Sequence, residues 1–163
     1  MAVSYGTNVY FDGVRTAVAT ELAALIAQMT TDATSPTFAA AYSHHDTVPM
    51  SFNAVSIGIE AVDIETPGQY ATGAGAVVEY LFNVDLRVMV GYRHVYPNEV
   101  AVMQLCQSIV NWFEVHRGSI GSAPYRLHGN PRVAGTRLVF EDTDTRGGLI
   151  EMQISAFEGY TAA

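Results

Sequence analysis

Two adjacent histidines followed by an acid, His44-His45-Asp46, are the residues of this sequence best suited to chemistry. Imidazole and carboxylate groups bind metals and move protons. Neighbouring residues of a regular element point in different directions, however, so these histidines are poorly placed to share one metal. No Cys, Glu-x-x-His or second histidine cluster supplies further ligands. We therefore interpret the triplet as a solvated turn.

An acidic, glycine-rich segment further along the chain has partial features of ligand-binding loops. Asp142 and Asp144 are spaced like the first ligands of a calcium loop, but the next ligand positions hold Arg146 and glycines. Gly147-Gly148 lacks the Lys-Ser/Thr pair of a phosphate loop. We interpret this segment as a hairpin turn at the surface.

The remaining reactive side chains fit structural roles. Cys106 is the only cysteine, and it falls in a helical pattern, where a small buried hydrophobe is expected. His116, at the end of the same pattern, is expected to cap the helix. The other histidines are scattered. The sequence therefore predicts no catalytic residue, no metal and no cofactor, and it does not indicate an enzyme.

Charge is distributed unevenly along the 163 residues, which carry a formal charge of −8. All eight basic residues are arginines, and none lies between Arg15 and Arg87. That interval holds eight acids: Glu21, Asp32, Asp46, Glu60, Asp63, Glu65, Glu79 and Asp85. The negative field should therefore belong to one part of the fold, which argues against tight binding to nucleic-acid phosphates.

The elements that position these residues are organised around residues 76–92. Apolar residues occupy every even position of this stretch from Val78 to Tyr92. Period-two alternation predicts a half-buried strand. At about 15 residues, or roughly 50 Å, it is far longer than the usual strand of about 5–6 residues. Such length is more typical of assembly than of catalysis.

A second strand is predicted over residues 51–65. Its apolar positions change parity near Ala61, which indicates a β-bulge that keeps both apolar sets on the core side. Glu60, Asp63 and Glu65 then face outward. A symmetric hairpin with residues 76–92 would place Asp63 near Val78.

The predicted hairpin loop has breakers and no charge, as expected for a flexible connection. It consists of Thr66, Pro67, Gly68, Gln69, Tyr70, Ala71, Thr72, Gly73, Ala74 and Gly75.

The remaining pattern predicts two amphipathic helices and further strands. One helix covers about 14–30, and the other begins after Asn98 and ends at Gly118. The sequence also predicts a lead at 1–11 and a long connection at 30–50 with a helical turn at 37–42. Further strands are predicted at 125–128, 132–141 and 149–157.

We therefore predict one α+β domain spanning residues 1–163. It has a mostly antiparallel or mixed β-sheet that includes a long β-hairpin. Two amphipathic helices pack on one face of this sheet, and the other face stays semi-polar and open to another subunit or to water.

This layout resembles the tail terminator (tail completion) proteins of long-tailed phages and, more loosely, other neck and tail-tube subunits. The resemblance rests on five stretches in a fixed order. These are ELAALIAQM, SFNAVSIGIEAVDIE, VVEYLFNVDLRVMVGYRH, EVAVMQLCQSIVNWFEVHR and the closing pair TRLVFED…GGLIEMQISAFEGY.

The resemblance implies a structural virion protein of the tail or neck, assembled in the host cytoplasm. Such a protein forms a homo-oligomeric, commonly hexameric, ring that caps the tail tube and joins it to the head-side connector. DNA then passes as non-specific cargo through an acidic lumen that repels phosphates. The sequence predicts no membrane segment and no signal peptide.

On this interpretation three groups of residues meet partners. The acidic patch facing the lumen or a ring is Glu60, Asp63, Glu65, Glu79 and Asp85, and loop 66–75 contacts the next ring. The expected subunit interface is Arg87, Met89 and Arg93.

Three alternatives remain. The chain could be a tail-tube or head-tail connector (stopper or adaptor) subunit. It could also be a small α+β enzyme or ligand-binding domain, or an oligomeric domain whose acids serve only solubility.

Overall fold

The computed structural model describes residues 11–45, 53–65, 76–90, 99–121, 125–140 and 145–160. Within these ranges the strands form one mixed sheet in the order β1-β2-β3-β5-β4, accompanied by two helices. This composition confirms the α+β class. The elements are α1 (Phe11–Thr31), β1 (Ala40–Tyr42), β2 (Ala54–Glu65), β3 (Ala76–Met89), α2 (Glu99–Val115), β4 (Tyr125–Phe140) and β5 (Thr145–Tyr160).

Strand β3 lies at the centre of the sheet and is antiparallel to both of its neighbours, β2 and β5. The predicted bulge in β2 is confirmed, because its register with β3 shifts between Ile59 and Ala61. Asp63 lies opposite Leu81 rather than near Val78, so the predicted register was wrong. Alternation fixes which face a residue occupies but not the position of its partner.

Both helices contribute buried side chains to one core. The spacing of apolar residues on α1 predicts one buried stripe, of which Ile26 is only partly buried and the rest are buried: Val14, Val18, Leu22, Leu25 and Met29. These side chains form one cluster with even-numbered β3 residues and with α2. On α2 the spacing predicts Met103 as part of the buried stripe and does not include Leu105, but Met103 is 52% exposed and Leu105 is fully buried. Met103 fits the apolar spacing but lies on the outer side of the helix.

The long connection contains a strand rather than the predicted helical turn. Ala40–Tyr42 forms β1, which pairs parallel to the start of β2 from Ala40↔Ala54 to Tyr42↔Ser56. The alanines that suggested a helix here are outweighed by backbone pairing along β2. Among the described helices, none combines the length and hydropathy needed to cross a membrane.

Helix α1 is joined to α2 and to the chain after α2 by the buried carboxylate of Glu21. One carboxylate oxygen accepts a hydrogen bond from Trp112 Nε1 at 2.8 Å, and the other accepts one from the Gly121 backbone N–H at 2.7 Å. Trp112 also stacks on His116, whose Nδ1–H donates to the Trp112 carbonyl. The capping role predicted for His116 is therefore confirmed.

The C-terminal strands are longer and more continuous than predicted. Strand β4 continues through residues 129–131 by shifting register against β5, and β5 already begins at Thr145. Gly147 and Gly148 therefore lie inside a strand, opposite Met89 and Val88, and not in a turn. A Cβ on Gly147 would overlap the Val88 carbonyl oxygen. These glycines permit close strand approach, a use that sequence alone does not distinguish from a turn.

Replacing Gly147 should strongly destabilise the fold, because G147A forces a methyl group into the β3 backbone. We expect a loss of at least about 1–3 kcal/mol in the free energy of unfolding, measured by urea denaturation. G118A is the matched control, since a Cβ at Gly118 meets nothing within 4 Å. Equal effects of the two substitutions would contradict the packing.

Cys106 should be inert in the folded chain, because burial raises the pKa of its thiol to about 11. We expect a thiol reagent to label it only after unfolding in guanidinium chloride. Since the folded pKa lies above the ordinary 9.0, the unfolded chain loses the proton first, and stability should fall as the pH rises from 9.0 to about 11. C106A should lessen that fall, and labelling of the native thiol would contradict its burial.

Candidate functional site

His45, Ser56 and Asp85 form a polar cluster that is largely buried. His45 Nδ1 lies 2.7 Å from Ser56 Oγ, and His45 Nε2 lies 2.6 Å from Asp85 Oδ2. The His45 side chain is 17% exposed and that of Asp85 10%. The interpretation of residues 44–46 as a solvated turn was therefore wrong for His45. His44 is exposed as expected, and Asp46 lies outside the described residues.

The sheet register brings this cluster together. Parallel pairing of β1 with β2 ends at Tyr42↔Ser56, so His45 follows just beyond the ladder. In the adjacent ladder, Gly58 lies directly opposite Asp85. A Cβ on Gly58 would overlap both His45 Nε2 and Asp85 Oδ1. Glycine at position 58 is thus what allows the imidazole to reach the carboxylate.

This geometry differs from that of a catalytic Ser-His-Asp triad. In such triads the serine hydroxyl bonds Nε2 and the carboxylate bonds Nδ1, with the serine open to substrate. Here the two nitrogens are exchanged, and Ser56 is only 1% exposed. The contacts fit a ring that donates its Nε2 proton to Asp85 and accepts the Ser56 hydroxyl proton at Nδ1. The arrangement suits anchoring of the chain after β1 onto the sheet.

Arg15 closes the end of the β1–β2 ladder. Its guanidinium NH1 donates to the Ser43 carbonyl and, at 3.1 Å, to the Ile57 carbonyl, each one residue beyond the last β1–β2 pair. An open groove of about 460 Å³ runs beside it, between α1 and residues 43–44. Small side chains such as Ala19 and Ala23 line this groove. Arg15 therefore satisfies two carbonyl groups where strand pairing stops.

Two residues of the predicted contact surfaces are internal. Asp85 was assigned to the acidic patch, but it is buried and paired with His45, because β3 presents it toward the segment after β1. Met89 was assigned to the subunit interface, but it is 2% exposed and packs against Ala54. Neither is available to a partner on the surface of this chain.

For most of the other predicted contact residues, the structure gives at most the position of the backbone. Glu65 lies directly opposite Glu79, and Asp63 precedes it on β2 by two residues. Glu60 sits at the bulge. Loop 66–75 and Arg93 lie outside the described residues, whereas Arg87 is half-buried on β3.

The sheet face opposite the core is less open than expected. Ser56, Leu81, Asp85 and Ser155 on this face are all buried within the chain. Beside them, the Gln153 side-chain amide donates to the Asn83 side-chain oxygen at 2.8 Å. These four side chains are therefore not available to another subunit. The sequence does not reveal this, because polar side chains that alternate along a strand can be covered by their own chain as well as by water.

Comparison with known proteins leaves the family open, since no protein-family model and no curated protein matches the chain. The resemblance to phage tail terminators stays a prediction. Within the ranges that the structure describes, no three His, Cys, Asp or Glu side chains come together as metal ligands would.

Removing His45 should destabilise the chain, because H45A leaves the buried Asp85 carboxylate without its partner. We expect a loss of about 2–3 kcal/mol in the free energy of unfolding, measured by chemical denaturation. H44A is the control, as His44 is exposed and bonds only its neighbour Ser43. D85N/H45A should cost less than the two single losses combined, and strict additivity would contradict the pairing.

Proposed function

We propose that the chain is a structural subunit of a long-tailed phage particle, a tail terminator (tail completion) protein. In this role it forms a closed homo-oligomeric ring, expected to be hexameric. The ring caps the tail tube, meets the head-side connector and leaves a passage for DNA. The basis is the resemblance in layout together with one structural observation, the length of the central strands.

The central ladder is much longer than the helices beside it. Strand β3 has 14 residues and pairs with β5 at every position from Ala76↔Tyr160 to Met89↔Gly147. At ~3.3 Å per residue, this ladder spans roughly 46 Å. At ~1.5 Å per residue, the helices α1 and α2 span only about 32 and 26 Å. Neither helix is long enough to pack along the whole ladder. In a ring, a neighbouring subunit would pack against the part of the ladder that a helix does not reach.

The acidic residues at one end of the β2–β3 ladder support the proposal that this end lines a passage for DNA without binding it. The opposed pair Glu65↔Glu79 places two acids side by side on adjacent strands, with Asp63 close by on β2. Like charges in direct cross-strand pairs are unfavourable within one chain. In a ring lumen the same charges would repel DNA phosphates and let the duplex slide.

The oligomeric state tests the proposal directly. We expect light scattering of the purified chain to give a closed oligomer near six times the 17.6 kDa subunit mass, and electron microscopy to show rings with a central hole. Open filaments would favour the tail-tube alternative instead. A monodisperse monomer that does not add to isolated phage tails would refute the ring role.

The acidic end can be tested separately by charge reversal. We expect rings with Lys at Glu60, Asp63, Glu65 and Glu79 to stay assembled and to retard double-stranded DNA at low salt, unlike the unmodified ring. The control carries Lys at four acids elsewhere in the chain: Asp12, Asp32, Glu114 and Glu151. Equal DNA binding by both variants, measured by gel shift, would mean that the four acids do not line the passage.

A further inference from the structure

The outer side of α2 is exposed but carries no charge along most of its length. Between Glu99 and Glu114 the helix holds neither an acid nor a base. Val100 and Met103 are 57% and 52% exposed. A solvent-facing helix side normally carries charged side chains, whereas the centre of a protein interface is depleted of them. This side of the helix therefore suits burial against another surface. We call it the α2 outer face, and its residues are Val100, Met103, Gln104 and Gln107.

A concave surface of matching character lies on α1. The groove of about 460 Å³ between α1 and residues 43–44 is lined along the helix by small side chains: Thr16, Ala19, Thr20 and Ala23. All of these except Ala19, which is half-buried, are exposed. We call this surface the α1 groove. Because small side chains let two helices pack at a short distance, the α1 groove suits a helix that presents one protruding side chain.

The two surfaces lie on opposite sides of the pair of helices. Helix α1 chiefly contacts β1 and β2, whereas α2 chiefly contacts β4 and β5. The hydrogen bond between Glu21 and Trp112 marks the sides of α1 and α2 that face each other. Ala19 and Ala23 are each two residues from Glu21, which at ~100° per residue turns them about 200° away from α2. Met103 is nine residues from Trp112, or about two and a half turns, so it points away from α1.

We propose that the α2 outer face of one subunit packs into the α1 groove of the next copy of the chain, with Met103 against Ala19 and Ala23. The contact joins two different surfaces on opposite sides of the subunit, so it is heterologous. Each added copy presents one α1 groove and one α2 outer face to further copies, and a finite assembly results only when the ring closes. The inference rests on the proposed ring and identifies the surfaces that close it.

Charge favours a second copy as the occupant of the α1 groove. Copies of a chain with a net charge of −8 repel each other, so contact between them is favoured where acids are few, and the α2 outer face holds none. Beside this face, the Arg137 side chain is 79% exposed and has more donors than its bond to Glu99 uses. Asp12, which lines the α1 groove, offers that guanidinium a carboxylate. Such an exposed pair orients the contact and adds little to its strength.

Two variants, one on each surface, test the contact. M103E places a charge on the α2 outer face and A23E places one in the α1 groove, and both positions are exposed. Each variant alone should reduce the ring to monomers of 17.6 kDa in light scattering. A mixture of the two should form dimers and no rings, because each pair retains one unaltered face and one unaltered groove. V115E is the matched control, since Val115 is 79% exposed on the same helix but outside the α2 outer face, and its rings should persist.

The outcomes separate this contact from the ring itself. If the unmodified chain forms rings and both M103E and A23E keep them, the contact is wrong and the ring role stands. A monomeric unmodified chain would overturn both. Variant rings that persist but no longer add to isolated phage tails would assign the two surfaces to another tail protein, which also overturns contact between copies.

Cross-linking tests the same contact without adding charge, and it decides alone if a glutamate variant fails to fold. In a C106A background, rings of A23C/M103C treated with a short bis-maleimide should give a ladder of covalent oligomers on a denaturing gel. The matched pair A23C/V115C should stay monomeric on that gel. Rings of A23C/M103C that yield no covalent oligomer, or the same ladder from both pairs, would contradict the proposed packing.

Discussion

Pairing of β3 on both of its edges is the constraint on which the rest of the fold depends. Because β2 and β5 pair with β3 along its length, its even-numbered side chains from Phe82 to Val90 all point to one face, where they belong to the same buried cluster as side chains of both helices. The same pairing directs Asp85 to the opposite face, where His45 binds it. A one-residue slip of β3 would exchange these two faces, exposing the core and burying the polar side chains.

Glycines on the two strands that neighbour β3 allow other groups to come close to it. Gly147 on β5 leaves room for the Val88 carbonyl, and Gly58 on β2 leaves room for the His45–Asp85 pair. Both glycines lie inside strands, where the lack of a side chain normally weakens a sheet. Here that cost is offset by backbone pairing in one case and by a buried polar contact in the other. The fold therefore requires glycine at positions 58 and 147, just as it requires large apolar side chains in the core.

The sequence predicted features that depend on local periodicity. Alternation located β2 and β3, the change of parity located the bulge, and the spacing of Val14, Val18 and Leu22 located the buried side of α1. Features set by contacts distant in sequence were missed. The pairing of His45 with Asp85 joins residues 40 positions apart, and the Glu21–Trp112 hydrogen bond joins residues 91 apart. A single sequence carries no signal of such proximity, beyond the presence of residues able to bond.

The same distant contacts change what the uneven charge means. Of the eight acids between Arg15 and Arg87, Glu21 and Asp85 are buried, and each is stabilised by donors within the chain. Their carboxylates serve as hydrogen-bond acceptors inside the chain, as buried polar groups generally do. The number of acids in this interval of the sequence is therefore not a measure of the charge at the surface, because two of the eight are internal. Glu65 and Glu79 lie directly opposite each other in the β2–β3 register, and like charges at such positions disfavour strand pairing within one chain, so the backbone ladder must outweigh their repulsion.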